Sequence, residues 1–363
     1  MSIFKKAFIG EIKNIKDSYY KLSLITVLPL FSFFIIISIF YEGVIRELPI
    51  VLVDNDKSSL SRKLISHIQS SPTIAIKKMT PSLRDAMVLV KKSEAYGVVI
   101  IPKHFYKDTL LQKQPKITAL INTQYILIGK MLTSALISSL AQNSQELSLP
   151  INIQVTPFFN TYQNYFLFLV SALLPSIWQV FIVIATLVSF GSMFKEKEEK
   201  EFFKDGFFEI SIIAKLLPYT ISYLLVGIGY LLFIYQVLGW EFQGSFTITI
   251  FGMFLTVVAY QATALLLFVM VFDYARSLSL AALYTAPAFA FLGVTFPVLS
   301  MNTFALLWRD LLPISYYIEL QISQANYGLS FFDESSKLLY LFSFWIAFIP
   351  VFFMFRKRMQ DEL

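Results

Sequence analysis

The chain has 363 residues, of which 56% are hydrophobic and 17% aromatic, and its mean hydropathy is +0.64. Only 15% are charged, well below the ~25% of soluble domains, which excludes an ordinary soluble protein. The net charge is +6, but the lysines cluster beside apolar spans, which is typical of membrane topology and not of nucleic-acid binding. The absence of cysteine excludes disulfides and thiolate metal sites, and two lone histidines, His67 and His104, predict no metal site.

The N-terminal segment, residues 1–21, is a predicted amphipathic helix, because lysines and apolar residues recur at helical spacing. We expect this helix to lie on the inner membrane face. An uncharged run from Leu22 to Phe40 follows, close to the ~20 residues that span a bilayer. It is too long for the core of a signal peptide, so residues 22–41 are predicted to be a retained transmembrane helix 1.

Residues 42–161 differ in composition, since apolar runs alternate there with polar helical stretches. Leu48–Val53 is typical of a strand, Ser58–Ser70 of a capped helix, and Ala95–Ile101 of another strand. A last extended piece is predicted at Ile151–Thr156. Strands that alternate with helices predict an α/β domain with a mostly parallel sheet, and the segment is long enough for its own core.

Residues 162–355 form a predicted five-helix transmembrane region. Its spans are placed at about Tyr165–Phe190, Leu216–Leu238, Phe246–Phe272, Leu278–Leu299 and Leu338–Phe355. With these boundaries the spans hold no buried charge or histidine, which argues against a proton- or ion-driven transporter. Residues 300–337 are too apolar for a free loop and predict a partly buried external helix.

Lysine and arginine placement decides the orientation of these six spans. Residues 1–21, the loop 191–215 and the tail 356–363 are rich in lysine and arginine, whereas the loops on the other side are poor in them. The positive side is cytoplasmic, so both termini are predicted inside. The predicted fold is an α-helical polytopic membrane protein with six transmembrane helices and an extracytoplasmic α/β domain inserted between helices 1 and 2.

The charged run Lys195–Asp205 lies between two long segments without any charge, so it marks a loop in water. Phenylalanines follow it at once, and a segment that is charged on one side and aromatic on the other can dock into a protein groove. We predict a docking helix for a cytoplasmic partner; the alternative is a solvated loop whose lysines only fix topology. The candidate contact residues are Lys195, Glu196, Glu198, Glu199, Glu201, Lys204, Phe207, Phe208 and Glu209.

No strong catalytic pattern occurs in the sequence. Gly129-Lys130 lacks the earlier glycine and the following serine or threonine of a Walker A loop, so the chain is not predicted to hydrolyse ATP itself. Asp54-Asn55-Asp56 lacks the glycine and distal glutamate of a calcium loop, and a strand-to-helix turn is expected there. Energy is therefore expected to come from a soluble partner, and no metal or cofactor is predicted in this chain.

Several stretches carry a family resemblance by their order and spacing. They are Leu48–Asp56 with Ser58–Arg62, Tyr96–Pro102, Asn122–Tyr125 and Lys215–Tyr219. Together with one span, an external α/β domain and five further spans, they resemble the permease subunit of ABC-2 type exporters, in the branch with a large domain after the first span. One departure is clear: family members usually carry Gly-Thr-x-Glu and Thr-Pro or Ser-Pro in the loop, where this chain has Lys204–Glu209.

The resemblance implies a permease subunit of a bacterial inner-membrane exporter that works as a dimer, with a second copy or a paralogue. Cytoplasmic ABC ATPase subunits would bind ATP and couple through the loop 191–215, and a periplasmic adaptor of the membrane-fusion type is a further candidate partner. Two other functions stay open from the sequence: a membrane-anchored sensor or assembly scaffold with the external domain as binding module, and a secondary transporter.

Overall fold

A computed structural model describes residues 3–40, 46–92, 94–113, 115–122, 126–146, 165–203, 206–293, 298 and 301–361. The chain divides into two compact units. One comprises Met1–Tyr41 with Phe166–Leu363, and the other Glu42–Tyr165. The predicted extended piece Ile151–Thr156 lies outside the described residues.

The chain begins with three helices, α1 (Ile3–Asp17), α2 (Tyr19–Ile25) and α3 (Val27–Phe40). The pair α2 and α3 bends by 41° at Thr26 and together is apolar enough to be one bent span. The Thr26 hydroxyl donates to the carbonyl of Leu22 at 2.6 Å, and Pro29 has no N–H to offer the turn before it. Both features interrupt the helical hydrogen bonds at the bend.

The unit Glu42–Tyr165 is an α/β fold around a four-stranded sheet. Its elements are β1 (Leu48–Asp54), α4 (Ser59–Ser70), β2 (Ile74–Met79), α5 (Leu83–Lys91), β3 (Gly97–Ile101), α6 (Phe105–Leu110), β4 (Thr118–Ile121) and α7 (Ile126–Glu146). The strand order is β2-β1-β3-β4, with β1 parallel to β2 and β3, and β4 antiparallel to β3. The sheet is therefore mostly parallel.

Helices cover both faces of this sheet, and successive side chains of β1 alternate between the two faces. Ile50 and Leu52 pack with residues of α4 and α7, whereas Val51 and Val53 face Ala86 of α5. Burial on both faces explains why β1 is a continuous apolar run. At its end, the Asp54 carboxylate accepts the backbone N–H groups of Asp56 and Lys57 at 3.0 Å, which confirms the strand-to-helix turn.

The remaining chain is helical where it is described. Its helices are α8 (Tyr165–Lys195), α9 (Glu199–Phe203), α10 (Phe208–Leu232), α11 (Phe246–Val271), α12 (Tyr274–Thr285), α13 (Ala288–Phe291), α14 (Thr303–Asp310), α15 (Pro313–Tyr327), α16 (Phe331–Ser343) and α17 (Phe348–Asp361). A π-helical turn extends α10 to Val237, and a 3-10 turn joins α16 to α17.

Four helices of the described chain are long and apolar enough to cross a membrane, and the bent pair α2–α3 raises the number to five. The four are Leu169–Lys195, Phe208–Val237, Phe246–Val271 and Phe331–Gln360. The predicted span Leu278–Leu299 is not among them. In its place α12 ends at Thr285, and the short helix α13 begins after Pro287, which cannot supply the N–H that a continuous helix needs.

The prediction that the spans hold no buried charge is wrong, because two spans begin earlier than predicted. Lys215 lies inside α10 and Glu334 inside α16, and both are buried. Glu334 accepts hydrogen bonds from Lys337 at 2.7 Å and from Ser323 of α15. These contacts compensate for the cost of removing the carboxylate from water and fasten α15 to α16.

Helix α15 lies in the stretch 300–337, where a partly buried external helix is predicted; it is buried along most of its length and packs against α11 and α16. The N–H of Ile314, at its start, donates to the hydroxyl of Tyr260 near the middle of α11 at 3.1 Å. At its far end, Gln324 accepts the N–H of Ser245, the residue before α11, at 2.9 Å. Helix α15 thus runs alongside the first half of α11, in the opposite direction.

Candidate coupling surface

The charged run turns the chain sharply between α8 and α9. Helix α8 ends at Lys195, and Lys197 adopts a left-handed conformation with φ 60°, which breaks the helix. The N–H of Glu198 closes the turn on the carbonyl of Met193 at 3.0 Å. The short helix α9 follows, and Lys195, Glu196, Glu198 and Glu201 are exposed around it. The run is therefore a tight helical corner, and Lys204 lies outside the described residues.

The aromatic residues of this corner divide into an inward and an outward set. Phe203 is buried and packs against Phe208 at 5.2 Å and against Phe355 of α17 at 5.7 Å between ring centroids. Phe207 is 54% exposed. Of the two predicted docking phenylalanines, Phe207 thus presents its ring outward, whereas Phe208 helps to hold α9 against the bundle.

Of the predicted contact carboxylates, Glu199 is buried, and the side chain of Glu209 is 41% exposed but paired within the chain. Glu209 forms an ion pair with Arg356 of α17 at 2.8 Å. Glu199 is buried, and its Oε2 has no hydrogen-bond partner in the described part of the chain. The exposed carboxylates that remain near α9 are Glu196, Glu198 and Glu201.

A buried polar junction lies directly behind α9 and ties the N-terminal helix to the bundle. Glu11 of α1 is only 3% exposed, and its carboxylate accepts hydrogen bonds from three side chains. The Lys215 ammonium donates to Oε2, while the hydroxyls of Ser189 and Tyr219 donate to Oε1 at 2.9 and 2.7 Å. We call Glu11, Ser189, Lys215 and Tyr219 the junction.

The electrostatics of the junction keep Glu11 charged. Burial by itself would raise the pKa of the Glu11 carboxyl. The charge of Lys215 and the hydrogen bonds from Lys215 and Tyr219 act in the opposite direction and bring the pKa below its ordinary value. Glu11 is therefore a carboxylate at neutral pH, and α1 is held by a buried ion pair rather than only by apolar contacts.

The junction and the charged run share contacts and enclose a cleft. The Lys215 ammonium lies over the ring of Phe202 at 5.2 Å, so α9 touches the same lysine that binds Glu11. A cleft of about 530 Å³ opens beside them, between α1, α9 and the start of α10. Its charged lining is Lys6, Glu11, Lys13, Asp17, Glu198, Glu201 and Lys215.

The sequence contains a signal for the junction in the placement of Glu11. This residue falls three positions after Phe8 and four before Ile15, so it lies on the apolar face of the predicted amphipathic helix. A carboxylate on that face needs a buried partner. The predicted span begins at Leu216, which leaves Lys215 in the loop, so hydropathy alone does not reveal that partner.

Comparison with known proteins gives one finding. The sequence model of a family described as an ABC-2 family transporter protein matches residues 21–354, which include the charged run and most of the spans. No curated protein and no solved structure matches the chain significantly.

Proposed function

Since this chain belongs to the ABC-2 family of transporter proteins, we propose that it is the permease subunit of an ATP-driven exporter. It is a membrane component of transport, and the ATPase is a separate subunit. Two permeases, either identical or paralogous, form the translocation path, and cytoplasmic ABC ATPases bind ATP and dock on the loop 191–215. The α/β unit then lies outside the bacterial inner membrane, where it is accessible to cargo or to an adaptor of the membrane-fusion type.

The attachment of α9 to the bundle is the observation that carries this proposal. Helix α9 follows α8, precedes α10 and contacts Lys215, which in turn binds Glu11 of α1. A displacement of α9 by the ATPase would therefore be transmitted to α8, α10 and α1 through side chains that are in contact. Coupling between distant sites needs such a contiguous network of packed side chains and rigid elements.

The chemistry of the exposed corner indicates the kind of ATPase surface that fits it. Glu198 and Glu201 present carboxylates beside the cleft, and Phe207 presents an apolar ring. Basic side chains next to an apolar groove would complement them. Opposite charges at the rim speed association, whereas a fully buried pair sets the affinity.

The proposed orientation is tested by cysteine labelling, because the chain has no cysteine of its own. Ser66→Cys lies at an exposed position of α4 and Lys200→Cys at an exposed position of α9. In intact cells, an impermeant thiol reagent should label position 66 and not position 200; in open membranes it should label both. Labelling of position 200 in intact cells would contradict the cytoplasmic placement of the charged run.

The function itself is tested by purification and reconstitution. The affinity-tagged permease should carry an ABC ATPase with it, and reconstituted vesicles should transport only when ATP is hydrolysed. Collapse of the proton gradient should leave transport unchanged. Transport that follows the gradient and needs no ATP would indicate a secondary transporter, and ligand binding without any transport would indicate a sensor or scaffold.

A further inference from the structure

A cluster of charged side chains lies on α14 and α15, away from the coupling surface. The guanidinium of Arg309 donates to a carboxylate oxygen of Glu319 and lies 3.6 Å from the carboxylate of Asp310. The Arg309 side chain is buried, whereas the side chains of Asp310 and Glu319 are 57% and 40% exposed. One cation and two anions leave the cluster with a negative charge on its exposed side.

Contacts with α11 and α12 place this cluster level with the middle of α11, a candidate membrane span. Leu311, two residues after Arg309, accepts a hydrogen bond from Tyr284 of α12 at 2.6 Å. The next helix starts beside Tyr260, near the middle of α11, and ends beside Ser245. Arg309 and Asp310 therefore lie level with the middle of α11, and Glu319 lies between that level and its first turn.

Ionised side chains at this depth are rare and costly, and they generally face a bundle interior or a water-filled cavity. The buried guanidinium is paired and fixes the position of Glu319. The two carboxylates, however, are exposed on the surface of a single chain, and hydrocarbon cannot solvate them. Their exposed side must then face water within a path or a second molecule.

An aromatic surface adjoins the carboxylates. The Tyr316 ring stacks on Tyr340 of α16 with centroids 4.9 Å apart and lies 5.9 Å from the guanidinium carbon of Arg309. The Tyr316 hydroxyl donates to Asp310 at 3.5 Å. Tyr316 is buried, whereas Tyr340 is 55% exposed, so Tyr340 presents the accessible ring and Tyr316 supports it from behind. Carboxylates beside aromatic faces are the groups that recognise organic cations.

We propose that Asp310, Glu319 and the exposed ring of Tyr340, which Tyr316 supports, form a binding site for the cationic group of an amphiphilic cargo, on the path through the membrane. This rests on the proposed function as an exporter permease. The carboxylates would bind the positive charge, and the exposed Tyr340 ring would contact the apolar part beside it. A neutral or anionic molecule of the same shape would gain nothing from the carboxylates.

The test compares two probes of the same shape and opposite charge, tetraphenylphosphonium and tetraphenylborate. Binding to the purified full-length permease is measured by equilibrium dialysis. We expect the wild type to bind the phosphonium tightly and the borate weakly. Asp310→Asn with Glu319→Gln should weaken phosphonium binding by about tenfold or more, because both negative charges that attract the cation are lost.

Two further variants separate the site from its surroundings. Tyr340→Leu, at an exposed position, should weaken binding of the phosphonium while thermal unfolding stays as in the wild type. Glu241→Gln removes an exposed carboxylate from the loop before α11 and should leave binding unchanged. Thermal unfolding and gel filtration of every variant establish that it is folded.

Two results would overturn the proposal. Wild-type phosphonium affinity in the folded double variant would show that the carboxylates do not bind the cation. Unchanged affinity together with a loss of permease dimers would show that they face a second copy instead. Binding of the probe needs no ATPase. A permease that binds the probe yet carries no ATPase would therefore contradict the proposed function and would still support this binding site.

Discussion

Glu11→Ala should lower the free energy of unfolding by about 3–5 kcal/mol, because it leaves the Lys215 ammonium buried without its counter-charge. The variant also leaves the hydroxyls of Ser189 and Tyr219 without their acceptor. We expect α1 to detach from α10 and transport to be lost. Thermal unfolding of the purified permease, together with protease sensitivity of α1, measures the effect.

Two controls make this result specific to the ion pair. Lys13→Ala removes an exposed charge from the same helix and should change neither stability nor protease sensitivity. Glu11→Leu combined with Lys215→Met removes both charges, and a buried pair replaced by apolar residues of similar volume is commonly as stable as the original. A single Glu11→Ala variant that is as stable as the wild type would show that the junction does not hold α1.

Glu198→Lys combined with Phe207→Ala should release the ATPase from the permease. The change reverses one exposed charge beside the cleft and removes the exposed ring, while the buried Phe203 stays in place. Loss of one partner of a buried charge pair commonly costs about 2–5 kcal/mol of binding free energy. Retention of the ATPase on the purified permease measures the effect, and transport should fall with it.

The matched control for this variant is Gln360→Lys, which adds a positive charge at an exposed position near the end of α17. It should retain the ATPase and transport normally. If the charged run were only a solvated loop, the double variant would behave in the same way, since an added lysine keeps the loop inside. Full retention of the ATPase by the folded double variant would therefore remove α9 as the coupling element.

The parts of the fold that depend on local pattern could be predicted from the sequence. The strand β1 has the continuous apolar run of a strand that is covered on both faces. Asp54, a typical turn residue, ends the strand and accepts a backbone N–H two residues later. The charge density of the run Lys195–Asp205 predicts contact with water, and most of its described side chains are exposed. These features are decided by residues that are neighbours in the chain.

The parts that depend on distant residues could not be predicted in the same way. Whether Lys215 belongs to a loop or to a span depends on Glu11, which lies far away in the sequence. Hydropathy assigns a lysine to water unless its partner is known, so the predicted start of this span falls too late. Hydropathy likewise assigns residues 278–299 to one span, whereas α12 ends at Thr285 and α13 begins at Ala288, after Pro287.

The buried pair between α15 and α16 has a consequence for how the protein enters its membrane. Glu334 is fully buried, and Ser323 and Gln324, which donate to it, belong to α15. A carboxylate that enters hydrocarbon alone is strongly disfavoured. Because α15 is synthesised before α16, the partners are already present when Glu334 leaves the ribosome. Lys337 of α16 itself supplies the counter-charge at 2.7 Å, and α15 supplies the remaining donors. We therefore expect the last helix to insert at lower cost once α15 is in place, which makes the order of synthesis part of how this bundle assembles.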